Sequence, residues 1–157
     1  MIRLNRLTDY AVVVLTQMTR NPDDLWTAPQ IAQETGVPLP TVAKLLNVLA
    51  HGDLIASHRG AAGGYTLNRP AEDVTVAEII QAVEGPIALT ACVDGATGGC
   101  EVESICPMRG NWDKVNRAIR GALGAVTLAD MAPNFDAYLV VPETAPGRSA
   151  GPGRTVS

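Results

Sequence analysis

Three cysteines, Cys92, Cys100 and Cys106, stand within 15 residues of a chain that has no others. Thiolates are ligands for iron and zinc, and the glycines among them would let three sulfurs converge on one point. An odd number of cysteines is a poor disulfide framework and points to metal binding or reactive thiols. Seven and five residues separate the three, which is not the C-x-x-C spacing of a zinc knuckle or a thioredoxin site. The two histidines, His51 and His58, lie far from this loop in sequence, and its local acids are Asp94, Glu101 and Glu103. A small redox enzyme, a cluster carrier and a regulator are all compatible with the loop alone.

A second constellation spans residues 27–69. Thr27-Ala28-Pro29-Gln30 is a capping box that starts a helix ending at Gly36. After Val37-Pro38-Leu39-Pro40 comes a further helix, with Val42, Leu45, Leu46 and Leu49 on one side and Gly52 at its end. Two helices joined by a tight turn outline a helix-turn-helix. The outward face of the second helix would carry Thr41, Lys44, Asn47, Val48 and His51, small or hydrogen-bonding groups of the kind a major groove accepts. Leu54 to His58 and Tyr65 to Arg69 have strand character and flank Arg59-Gly60-Ala61-Ala62-Gly63-Gly64, which predicts a hairpin wing. Arg59 would reach a phosphate or the minor groove, and Gly60 and Gly63 would let the wing backbone approach DNA. A nucleotide phosphate loop is disfavoured, because a strand rather than a helix follows the glycines and no Lys accompanies them.

The elements that position these groups follow from periodicity and punctuation. Residues 8–20 predict a helix with Thr8 as cap and Asp9 in the first turn. Thr75-Val76-Ala77-Glu78 is another capping box, opening a helix that runs to Gly85-Pro86. From Met108 to Val126 the stripe Trp112, Val115, Ile119, Leu123, Val126 suits a helix–helix seam. The predicted organisation is a DNA-binding unit at 1–86, a cysteine loop at 87–107, a dimerisation helix and C-terminal segment at 108–141, and a disordered Pro/Gly/Ser-rich tail at 142–157.

Composition sets the outer bounds. At 157 residues, 46% hydrophobic and 18% charged, the chain can bury one core, and wholesale disorder is excluded. Only 4% aromatic residues argue against a long base-stacking platform. Net charge is −4, but residues 1–69 carry six Lys/Arg against five Asp/Glu, and residues 70–157 six against eleven. An anion-binding surface therefore belongs to the first half. Without a secretory signal or a run of about 20 apolar residues, the expected location is the cytoplasm, with no membrane association.

Taken together, RLNRLTDYAVVVL, PQIAQETGVPLPTVAKLLNVLAHGDLIASHRGAAGGYTL, VAEIIQAVEG and the three-cysteine loop resemble the Rrf family of iron–sulfur transcriptional regulators, the IscR, NsrR and RirA type. The resemblance covers residues 2 to about 132 and is closest, in LTDYAVVVL, to members that regulate SUF-type iron–sulfur assembly. It implies a mainly α fold with a small β-hairpin wing, a winged helix-turn-helix with a long C-terminal dimerisation helix. It also implies no catalytic activity or small-molecule substrate, a homodimer on double-stranded promoter DNA, and a 4Fe-4S or 2Fe-2S cluster on Cys92, Cys100 and Cys106. IscR-like members place a His three residues beyond the last cysteine, where this chain has Arg109. NsrR-like members use an Asp near the start of the first helix, and Asp9 matches that position. Iron, oxidant or nitric oxide would be the signal, as repressor or activator. A nitric-oxide-responsive repressor of the same family and a zinc or bare-thiol regulator are the alternatives.

Overall fold

A computed structural model describes residues 3–93, 96, 99–108 and 110–132; the expected tail at 142–157, Asp94 and Arg109 lie outside them. The first helix, α1, spans Arg6–Met18, two residues earlier at each end than expected. Asn5, not Thr8, is its cap: the Asn5 side chain accepts from the Thr8 backbone N–H at 2.9 Å. Thr8 itself is buried in the first turn, and its hydroxyl donates to the Glu84 carboxylate. That tertiary partner draws the threonine inward and leaves capping to the asparagine before it.

Helix α2 (Ala28–Thr35) opens on the expected Thr27/Gln30 capping box and closes at Gly36, whose φ of 77° is the left-handed conformation glycine takes without strain. Helix α3 (Leu39–His51) carries Val42, Leu45, Leu46 and Leu49 fully buried on one side. They meet Ala11, Val14, Leu15 and Met18 of α1, Ile31 of α2 and Leu54 and Ile55 beyond α3 in one aliphatic core. The wing is an antiparallel pair, β1 (Ile55–His58) and β2 (Gly64–Leu67), in register Ile55↔Leu67 and Ser57↔Tyr65. Trp26 adds a bridge that sequence periodicity does not predict: its N–H donates to the Tyr65 carbonyl at 2.9 Å, and the Tyr65 N–H donates back at 2.8 Å. The wing is thereby tied to the start of the helix-turn-helix.

Helix α4 (Val76–Glu84) has the expected Thr75/Glu78 capping box. Helix α5 spans Asn111–Ala125, shorter than the expected Met108 to Val126. Gly110, at φ 78°, turns the chain into it. Val126 is extended because its carbonyl accepts from the Val76 N–H at 2.9 Å, which ends the helix. A short helix α6 (Leu128–Met131) follows, with a third capping box from Thr127 and Asp130, and returns Leu128 to the core. No helix among the described residues is long and apolar enough to cross a membrane.

Candidate nucleic-acid interface and cysteine loop

The outward side of α3 is set by its inward side. With Val42, Leu45, Leu46 and Leu49 buried, Lys44, Asn47 and His51 are exposed at helical spacing, while Thr41 and Val48 are half-buried at the margin. His51 is held in place by a 2.8 Å hydrogen bond between its Nδ1 and the Asn47 carbonyl oxygen. A shallow cleft lined by Asn47, Ala50, His51, Ser57 and Tyr65 separates the end of α3 from the wing. Ser57 and Tyr65 are additional candidates; strand alternation across the Ser57↔Tyr65 pair is the signal that identifies them.

Arg59 is exposed just beyond β1. Arg20 and Arg69 pair with Glu34 and Glu78, but neither Lys44 nor Arg59 enters an ion pair among the described residues. Their charge remains available to phosphate. The wing glycines have a structural reason of their own. Gly60 has φ 120°, and a Cβ at Gly63 would lie 2.6 Å from the His58 carbonyl oxygen and 2.9 Å from that of Gly60. The tip is closed by the Gly63 N–H donating to the Gly60 carbonyl at 3.0 Å.

Arg69 and Glu78 fasten the far end of the wing to α4. The guanidinium donates to the Glu78 carboxylate at 2.7 Å and to the Asp73 carbonyl at 3.0 Å. Desolvation works to raise the Glu78 carboxyl. The Thr75 backbone N–H, the Arg69 guanidinium and the Thr75 hydroxyl outweigh it and hold that carboxyl below the ordinary glutamate range.

The cysteine loop follows α4. Cys92, Cys100 and Cys106 are all free thiols and all half-buried. Cys92 lies in a turn with its Sγ 3.2 Å from the Thr90 hydroxyl oxygen, and Cys106 follows a 3₁₀ turn at Glu103–Ile105. Among the described residues no three His, Cys, Asp or Glu side chains are gathered as a metal site. Asp9 is exposed and lines a groove with Arg3, Leu4, Asn5 and Arg6 rather than with the cysteines. The donor set nevertheless fits an iron–sulfur cluster in its chemistry: three half-buried thiols, none in a disulfide, in one loop.

Asn116 of α5 is a positioning residue that periodicity alone passes over. Its side chain accepts from the Leu89 N–H at 3.1 Å and donates to the Ile87 carbonyl at 3.0 Å, holding the start of the cysteine loop. The available signal was a carboxamide in mid-helix beside the Trp112, Val115, Ile119 stripe.

A protein-family profile described as "Rrf2: Iron-dependent Transcriptional regulator" matches residues 4–134. The HTH-type transcriptional regulator IscR of Klebsiella pneumoniae (strain 342) is 28% identical over 137 residues, 85% of this chain and 81% of that protein. Among solved structures, T. potens IscR is similar with a TM-score of 0.62 and 25% identity, covering 93% of this chain and 94% of that one. CymR, the global cysteine regulator of B. subtilis, shares the fold with a TM-score of 0.63 at 24% identity, over 84% of this chain and 97% of that one.

Proposed function

The chain belongs to the Rrf2 family of transcriptional regulators, and from that premise we propose an iron–sulfur-dependent regulator of iron–sulfur assembly or iron genes, acting as a cytoplasmic homodimer on promoter DNA. The observation that carries the proposal is the union, on one winged-helix chain, of a face whose Lys44 and Arg59 enter no ion pair among the described residues and a loop of three free thiols tethered to α5. Lys44 would neutralise phosphate, Asn47 and His51 would face base edges, and Arg59 would enter the minor groove beside the wing. Cys92, Cys100 and Cys106 would hold the cluster, with Asp9 of a second copy as the fourth ligand. When bound, the cluster supplies a redox- and iron-sensitive bond network that holds the loop in one arrangement. The chain's own part is to convert loop order into the spacing of two reading heads, a bias on a two-state equilibrium.

Anaerobic purification followed by iron and acid-labile sulfide analysis and visible spectroscopy tests the cofactor. Fluorescence anisotropy with the upstream promoter fragment, before and after cluster removal, tests the coupling. Brown protein whose DNA affinity changes on cluster loss is the expected result. Colourless, iron-free protein that still binds the fragment would establish a zinc or thiol regulator instead. The bare-thiol form of that second reading is favoured by one observation: the three sulfurs are not gathered into a ligand group among the described residues.

A further inference from the structure

Helix α5 is built inside out. Its Trp112 and Val115 are 42% and 43% exposed, and the one buried residue of the helix is polar: Asn116, at 3%. A carboxamide is costly to bury unless both of its ends are bonded. Here both ends are, and to the same short backbone segment: Leu89 N–H to the side-chain oxygen, and the side-chain NH₂ to the Ile87 carbonyl. The side chain copies one rung of a β-ladder and so fixes both direction and register of residues 87–89. A leucine at this position would fill similar space but leave the Leu89 N–H and Ile87 C=O without partners.

The fixed segment leads directly to a thiol. Thr90 follows Leu89, and its hydroxyl oxygen stands 3.2 Å from Cys92 Sγ. A continuous path of hydrogen bonds and covalent bonds therefore runs from α5 through Asn116, Leu89 and Thr90 to the first cysteine. The geometry points to Asn116 as a latch, a positioning residue through which α5 sets the location and accessibility of Cys92. Cys100 and Cys106 lie beyond the latched segment and are not on this path. The coupling runs both ways: whatever favours Cys92 in its latched position favours the latch by the same free energy. Whatever displaces the thiol loosens the grip of α5 on the loop.

The inference rests on the cysteine loop being the sensing element, but its test needs no metal. Reduced, metal-free full-length protein is pulse-labelled with N-ethylmaleimide, and modification of each cysteine is followed by mass spectrometry. In the same samples, amide exchange is followed across residues 86–92. Asn116→Leu is expected to raise the Cys92 labelling rate several-fold, leave Cys100 and Cys106 unchanged, and deprotect the Leu89 amide. Asn116→Asp keeps the acceptor for the Leu89 N–H and loses the donor to Ile87, so its Cys92 rate should fall between parent and Asn116→Leu. Thr90→Val, at the loop end of the path, should raise Cys92 labelling without deprotecting Leu89. A Cys92 rate unchanged in Asn116→Leu overturns the latch. So does a rise shared by all three thiols, which marks general loosening of the fold, and so does a Thr90→Val protein that labels like the parent. Failure of the iron–sulfur reading is seen separately, as absence of iron from anaerobically prepared protein whose labelling remains selective.

Discussion

Lys44 and Arg59 share a charge but would act on DNA in different ways. Lys44 stands on the exposed side of α3 without an ion-pair partner among the described residues, and a flexible ammonium suits phosphate. Lys44→Ala should weaken binding to all sequences and reduce the slope of log affinity against log salt by about 1. Arg59 stands at the shoulder of the wing, and Arg59→Ala should cost about 1–3 kcal/mol on the operator and less on unrelated DNA, as a lost base contact does. Fluorescence anisotropy across a salt series separates the two. Unchanged affinity and slope in both variants would remove this face from DNA recognition. Asp9 poses a question of a different kind. Its place at the start of α1 already eases the helix dipole, worth about 0.3–1 kcal/mol, so ligation must be read from the cluster itself. Asp9→Ala should preserve secondary structure and alter both the visible spectrum and the decay of the cluster in air. An unchanged spectrum and decay would return the fourth position to the loop acids.

Glu78 shows how one residue joins two elements. It caps α4 through Thr75 and receives Arg69 from the end of the wing, and the result is a carboxyl held below its ordinary range. A depressed carboxyl pKa stabilises the folded state above the unfolded value of about 4.3 and loses that contribution as pH falls through the folded value. Acid unfolding followed by circular dichroism should therefore show a component in that window that is absent from Glu78→Gln. Parent and variant losing stability in parallel below pH 4.5 would show that the clasp contributes nothing. The Thr75/Glu78 and Thr27/Gln30 boxes were legible in the sequence because a capping box is local, with its partners three residues apart. The Thr127/Asp130 box was equally local, and the expected stripe running on to Val126 obscured it. Nothing local could show that Glu84 would take the hydroxyl of Thr8, or that Trp26 would pair with Tyr65. Those contacts moved the α1 cap to Asn5 and braced the wing. The four buried leucine and valine positions of α3 were legible because one buried face imposes a 3.6-residue period.

At the scale of the molecule, the unfinished surface is on α5. Met108, Trp112 and Val115 line one groove with Asn111 and Lys114, while Ile119 and Leu123 continue the stripe half-buried. A stripe with apolar groups facing water is stabilised when a second copy of the same helix covers it, and a two-fold axis lets one sequence serve both sides. Such pairing would also set the distance between two α3 helices, which must match successive major grooves about 34 Å apart. Ile119 is the position to probe, because it lies mid-helix on the stripe. Ile119→Glu would bring two carboxylates together across the axis in an apolar setting, where neither has a partner. The variant should sediment as a monomer at micromolar concentration, retain its far-ultraviolet circular dichroism, and bind a two-half-site operator much more weakly than the parent. Its affinity for a single half-site should change little, since each reading head is intact. A parent protein that sediments as a monomer, or a variant that remains dimeric, would show that this stripe of α5 is not the seam between two copies.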